Sequence, residues 1–192
     1  MKKILIGTFN KGKFKEISYL LSKNIKKVSL KKFKIKSPKE TGKTFSANAK
    51  LKANYFSKLT NLAAISDDSG LCIKALGGKP GIYSARWVKK YGSFKNAMKF
   101  ILKKMKKKND RSATFICSLS LKQPKGNIIT VQGKIKGLIS QKIVGNKGFG
   151  YDPIFIPNSE SVTFGQMSKL QKIRMDHRYI AFQKMKKRIK IL

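Results

Sequence analysis

The sequence predicts an α/β protein built on one mixed β-sheet that becomes partly antiparallel in its second half. Three stretches carry that expectation. Residues 4–8 are a short apolar run, followed by a loop at 9–12 and a segment at 13–21 that puts Phe14, Ile17 and Leu21 on one face: strand, loop, helix. Ala113, Phe115, Cys117, Leu119 and Leu121 alternate with polar residues, the period of a half-buried strand, and Lys125-Gly126-Asn127 is a turn into a second strand at 128–135. Phe94, Ala97, Met98, Ile101, Leu102 and Met105 recur at helical spacing behind Ser93, which caps a helix running to residue 107.

The other elements follow in chain order. Residues 23–43 are basic and irregular, with a strand near 28–33. A helix over 46–58 buries Ala49, Ala53 and Phe56. Residues 62–66 form a short strand that ends at Asp67 and Asp68, and 71–75 pair back on it before the turn-rich 77–81. The segment 145–152 is rich in glycine and aromatics. A last helix starts near Asp176 and carries Ile180, Ala181 and Met185 inward. There is no internal repeat and no long linker, so residues 1–192 read as a single domain.

The charge is extreme: 45 Lys and Arg stand against 8 Asp and Glu, a formal net charge of +37. The lysines are spread along the chain, dense only at 103–108 and 184–190, and read either as coding bias or as a surface for polyanions. In both cases the field attracts an anionic substrate. Cys72 and Cys117 lack metal-ligand spacing and read as small buried hydrophobes in a reducing compartment. The N-terminal apolar stretch is too short for a signal peptide, and no window reaches the ~18 apolar residues of a membrane span. A soluble, cytoplasmic protein is expected.

With so few carboxylates, the pair in Ser66-Asp67-Asp68-Ser69-Gly70 stands out. Adjacent carboxylates repel unless a cation offsets them, and oxygen ligands favour Mg²⁺; the alternative is a solvated turn. Thr8-Phe9-Asn10-Lys11-Gly12-Lys13 could hold a phosphate tail at a helix start or be a plain turn; it is not a Walker loop. Phe149-Gly150-Tyr151-Asp152 could stack a base and bond its edge, or be a structural aromatic turn. His177 is the only histidine, and Arg178 beside it is either a donor to a purine carbonyl or a surface arginine. Glu16 stays open between a helix-surface ion pair and a supporting role behind the site.

Taken together and in this order, these segments resemble the inosine triphosphate pyrophosphatase family (Ham1-like, non-canonical purine nucleotide pyrophosphatases) over nearly the whole chain. The match runs through residues 8–13 with Glu16, Glu40-Thr41-Gly42-Lys43-Thr44-Phe45, Asn48-Ala49, Lys52-Ala53 and 66–71. It continues through Pro80-Gly81-Ile82-Tyr83-Ser84-Ala85-Arg86, 148–155, Lys172 and His177-Arg178. The resemblance implies an elongated mixed sheet flanked by helices, two lobes with the active-site groove between them, and a homodimer. It implies Mg²⁺-dependent hydrolysis of ITP, dITP and XTP to the monophosphate and pyrophosphate. Thr8, Asn10 and Lys13 would then hold the phosphates, Glu40 and Asp68 the metal, and Asp68 would be the general base. Ser69 would touch substrate; Phe149, Gly150, Tyr151, Asp152, Lys172, His177 and Arg178 would form the base pocket. The chain departs from the family pattern at Ala47, Gln166, Ile173 and Asp176. The alternative is a basic nucleic-acid-associated protein that has lost its activity.

Overall fold

The computed structural model describes residues 2–158 and 160–189, so Lys190, the end of the second basic run, lies outside the described residues. Its strands are β1 (Lys3–Ile6), β2 (Lys26–Ser29), β3 (Ala63–Ile73), β4 (Ser112–Lys122), β5 (Ile128–Ile139) and β6 (Phe155–Pro157). Its helices are α1 (Lys11–Leu20), α2 (Phe45–Thr60), α3 (Ser84–Tyr91), α4 (Phe94–Met105), α5 (Lys169–Ile173) and α6 (His177–Arg188). The strands form one sheet in the order β2-β1-β3-β4-β5-β6. Strand β1 is parallel to β2 and β3, while β5 and β6 are antiparallel, which is the mixed α/β sheet expected. No helix among the described residues is long and apolar enough to cross a membrane.

The chain divides into two compact units. The first comprises residues up to 68, residues 117–133, and those from 177 on. Strand β1 is buried on both faces, as a parallel strand covered by helices must be. Ile4 and Ile6 join Ile17 of α1, Ile65 and Phe182 of α6 in one cluster, whereas Leu5 packs with Val28, Leu30 and Phe56 of α2 in another. Burying a side chain such as Phe56 stabilises the fold by roughly 1.5–3 kcal/mol. The second unit comprises residues 69–116 and 134–176. Its core joins the α4 stripe of Ala97, Met98, Ile101 and Met105 to Phe115, Phe155 and Phe164, with the Phe115 and Phe155 rings edge to face at 4.6 Å.

Several boundaries differ from expectation for local reasons. Helix α1 begins at Lys11, so Gly12 lies in its first turn; Asn10 caps it, its Oδ1 accepting the Lys13 N–H at 3.0 Å. The strand near 28–33 is β2, ended by a 3-10 turn at Leu30–Lys32. Asp67 and Asp68 lie within β3, which runs on through Leu71 to Ile73, so 71–75 does not pair back on it. Helix α3 was unexpected, and so was α5, closed by a Ser168/Gln171 capping box. On α6 the buried apolar residues are Ala181, Phe182 and Met185, with Ile180 half-buried. Cys117 is buried and Cys72 half-buried, and neither is in a disulfide.

One glycine fixes where α6 begins. A Cβ on Gly133 would fall inside van der Waals contact of the His177 carbonyl and of the Ala181 amide and Cα, all backbone. Gly133→Ala must push α6 off β5. The expected cost is about 1–3 kcal/mol, read as a lower midpoint in thermal or urea unfolding. The loss should equal or exceed that of the same change at Gly77, around which the structure leaves open space.

Candidate active site

In the first unit the carboxylates of β3 meet cations brought from α1, α2 and α6. Successive side chains of a strand point to opposite faces, so Asp67 and Asp68 have different neighbours although adjacent. Asp67 is completely buried. Its Oδ2 receives Lys13 Nζ at 3.0 Å and Arg178 Nη2 at 3.0 Å. Arg178 is itself buried, and its Nη1 donates to Glu16 Oε2. Burial alone would raise the Asp67 pKa; Lys13, Arg178 and Lys52 overcome it and hold the carboxyl well below the usual carboxylate range.

Asp68 faces α2. Asn48 Nδ2 donates to its Oδ2 at 3.1 Å, and Lys52 Nζ lies 3.5 Å from its Oδ1. The same ammonium is 2.5 Å from Glu40 Oε1. Asn48 also accepts the Gly42 N–H at 2.8 Å, tying the Glu40 loop to the helix. Burial raises the Asp68 pKa, and the Glu40 charge adds to it, against the smaller pull of Lys52 and Lys13. Burial opposes the Lys52 ammonium, yet Asp68, Asp67 and Glu40 together raise its pKa. One carboxylate is thus locked as an anion, and its neighbour is poised to take a proton.

The cluster fits a hard divalent cation. Glu40 and Asp68 offer oxygen donors only, and the Lys52 ammonium seated between them marks a position that accepts positive charge. Two carboxylates, with water and phosphate oxygens completing the shell, is the usual magnesium arrangement. Among the described residues no group of three or more His, Cys, Asp or Glu side chains is placed to hold a metal.

Thr8 and Asn10 precede α1. Thr8 Oγ1 accepts the Asn10 N–H at 3.2 Å, which shapes the approach to the helix N-terminus. There backbone N–H groups, the helix dipole and the Lys13 ammonium combine to suit a phosphate. His177 is buried at the start of α6, next to Arg178.

The remaining expected residues lie in the second unit. Ser69 is half-buried in β3. Lys172 of α5 is buried, with its Nζ 2.8 Å from Asp152 Oδ2 and 3.9 Å from Asp176 Oδ2. Its ammonium lies 4.5 Å from the Phe149 ring centroid. Asp152 Oδ2 accepts the Phe149 N–H at 2.8 Å, closing the turn around Gly150. Tyr151 is buried edge-on to Phe94, its hydroxyl donating to the Ser84 carbonyl at 3.0 Å. Phe149 thus presents a ring whose position is fixed by a buried ion pair.

Lys52 and Asn48 carry no role in the sequence alone, and Asp67 only that of one half of a carboxylate pair; the structure places all three at the centre of the first cluster. Glu16, left open there, is a buried partner of Arg178. Gln166 keeps a structural job, its Oε1 accepting the Thr163 N–H at 3.0 Å.

A mixed α/β fold carrying paired carboxylates, buried lysines and a phosphate-ready helix start defines a protein built to handle a polyphosphate. The chain belongs to the Ham1 family, whose model matches residues 4–188. It is 42% identical to a dITP/XTP pyrophosphatase of Oceanobacillus iheyensis, covering 97% of this chain and 98% of the relative. It is 40% identical to a dITP/XTP pyrophosphatase of Caulobacter vibrioides, covering 96% of each. A HAM1 protein from Coxiella burnetii superposes with a TM-score of 0.89 at 31% identity over the whole of both chains. The Staphylococcus aureus Ham1 protein gives 0.87 at 34%, covering 98% of each.

Proposed function

We propose that this chain hydrolyses non-canonical purine nucleoside triphosphates, dITP, XTP and ITP, to the monophosphate and pyrophosphate. The observation that carries the reading is the asymmetric carboxylate pair of β3, one aspartate locked as an anion and one with a raised pKa, among buried ammonium groups. Full-length relatives named for this activity support it.

Asp68 is the general base. Its Oδ2 is held by Asn48, so the carboxylate is oriented to take a proton from the water that attacks the α-phosphorus as pyrophosphate leaves. Glu40 and Asp68 would hold a magnesium ion, which supplies charge neutralisation on the phosphate oxygens. Thr8, Asn10 and Lys13 bind the triphosphate tail at the start of α1, and Lys52 adds a second ammonium. Ser69 touches the substrate beside Asp68.

In the second unit Phe149, Gly150, Tyr151, Asp152 and Lys172 form the base platform; Arg178, expected from the resemblance to join them, is buried in the first unit on Asp67 and Glu16. Hypoxanthine and xanthine carry O6 where adenine carries an amino group, so Lys172, which donates and cannot accept, favours them over adenine. The single domain of 1–192 acts as a homodimer in the cytoplasm, where the nucleotide pool lies.

Pyrophosphate release is measured from dITP, XTP, ITP, GTP and ATP with and without magnesium. Metal-dependent turnover of the first three, with ATP poor, is the expected result. Inactivity of well-folded protein on all five would overturn the reading.

A further inference from the structure

Apart from the carboxylate clusters, the second unit carries an aromatic cavity ringed by lysines. It is an open groove of about 430 Å³ between α3, α4 and the turn preceding α3, within the size range of ordinary small-ligand pockets. Trp87 and Tyr91 of α3 and Phe100 of α4 form its floor. Tyr91 and Phe100 are stacked with centroids 4.5 Å apart, and Trp87 meets both edge to face, at 5.9 Å from Tyr91 and 5.6 Å from Phe100. All three rings are half-buried, whereas the lining lysines Lys79, Lys90 and Lys104 are exposed.

Two of those lysines lie over the rings. Lys90 Nζ lies 5.7 Å from the Tyr91 ring centroid and Lys104 Nζ 5.7 Å from that of Phe100, cation–π positions that put ammonium groups at the cavity rim. No aspartate or glutamate occurs between Asp68 and Asp110, a stretch that contains all of α3 and α4. The lysines therefore have no acidic partner on their own elements, and their charge faces outward.

Tyr91 and Phe100 cover one face of each other and carry Lys90 and Lys104 over them, so Trp87 is the ring for a base to stack on. One base on Trp87 with phosphates along the lysine rim suits a ligand that alternates flat bases with phosphates. Bases stack on aromatic rings without regard to sequence, while ammonium groups follow the backbone. Duplex nucleic acid offers the charge but hides its bases. We propose that this cavity is a docking site for single-stranded nucleic acid, separate from the residues assigned to hydrolysis. It would hold the enzyme on a polyanion and leave turnover untouched.

The test must separate this cavity from the diffuse attraction of a +37 protein. Trp87 is the only tryptophan in the chain, so its emission reports on this cavity alone. The probe is an oligothymidylate of about ten nucleotides, a length that spans a single-strand binding groove, titrated into full-length protein at several salt concentrations. Saturable quenching of Trp87 is expected. Lys90→Gln/Lys104→Gln should lower affinity about 20-fold at 0.1 M salt and flatten the log–log salt slope by about 1.4, at 0.7 per lost phosphate contact.

The control is Lys23→Gln/Lys31→Gln, an equal charge change at exposed positions of the first unit; it should retain near wild-type affinity. Absence of quenching, or an equal loss in both variants, would overturn the proposal. So would emission that changes with protein concentration alone while sedimentation shows self-association through the same residues, since the cavity would then be covered by a second copy. Pyrophosphate release should be unchanged in both variants. It is measured in parallel, so that failure of the enzymatic reading is seen separately.

Discussion

Replacing Asp68 with asparagine is expected to lower pyrophosphate release from dITP and XTP by a factor of about 10²–10⁴ while leaving the protein folded. Asparagine has nearly the same shape and can still accept the Asn48 N–H, which in the wild type reaches Asp68 Oδ2 at 3.1 Å. What it lacks is a lone pair basic enough to take the proton of the attacking water and a charge to help hold the cation. Stability should change by no more than about 1 kcal/mol, because Lys52 keeps its 2.5 Å contact with Glu40 and burial already penalises the Asp68 charge.

The pH dependence carries a sign. A carboxyl whose folded pKa is raised binds its proton more tightly in the fold than in the unfolded chain. Without added metal, the wild type therefore gains stability from this group as pH falls through its folded pKa, and the variant loses that gain. Steady-state pyrophosphate release and thermal melts across pH are the measurements. Wild-type turnover in the variant would place the base elsewhere; inactivity with a collapsed melting temperature would mean that the fold, not the chemistry, had been removed.

The elements that were legible in the sequence were those whose signal is local. Helix α4 has Ser93 as its cap and a stripe one helical face wide, and both hold: Ser93 Oγ accepts the Asn96 N–H at 3.1 Å, and Ala97, Met98, Ile101 and Met105 are buried. The alternation of β4 and the turn before β5 are likewise short-range patterns. Strand β3 was cut short because Asp, Ser and Gly disfavour strands and favour turns. What carries the strand through 67–70 is remote: Lys13, Lys52 and Arg178 neutralise the aspartates from α1, α2 and α6, and no local pattern reports them.

The same divide runs through the candidate site. Its carboxylates stood out because acids are scarce among 45 Lys and Arg residues. Its lysines did not, for the same reason: Lys13 and Lys172 are assigned a role only by the family resemblance, and Lys52 is assigned none. Lys13, Lys52 and Lys172 differ from the surface lysines only in being largely buried against carboxylates, a property of the tertiary fold.

Asp67→Asn should be the costliest single change in the first unit, at about 3–5 kcal/mol, the usual result of removing one side of a buried ion pair. In a chain of this size that lowers the melting temperature by roughly 10 °C. Both Lys13 Nζ and Arg178 Nη2 lie 3.0 Å from the same oxygen, Asp67 Oδ2. Lys13 is partly exposed and can turn toward water, whereas Arg178 cannot: its guanidinium is buried, and it would lose one of the two carboxylates, Asp67 and Glu16, that its Nη atoms reach. Since the Asp67 pKa is depressed in the fold, its stabilisation is complete at neutral pH and drains away as pH falls below about 5, toward the folded value. The variant should lack that acid-side loss, so the two stability profiles converge at low pH. Removing the arginine as well isolates the pair. In an Asp67→Asn/Arg178→Met protein the combined loss should fall short of the sum of the single losses by about 1–3 kcal/mol, because the second change removes the charge that the first left short of a carboxylate. Strict additivity in urea unfolding would show that Arg178 and Asp67 are neighbours without being energetic partners, and the stability of β3 through its two aspartates would then have to come from Lys13 and Lys52 alone.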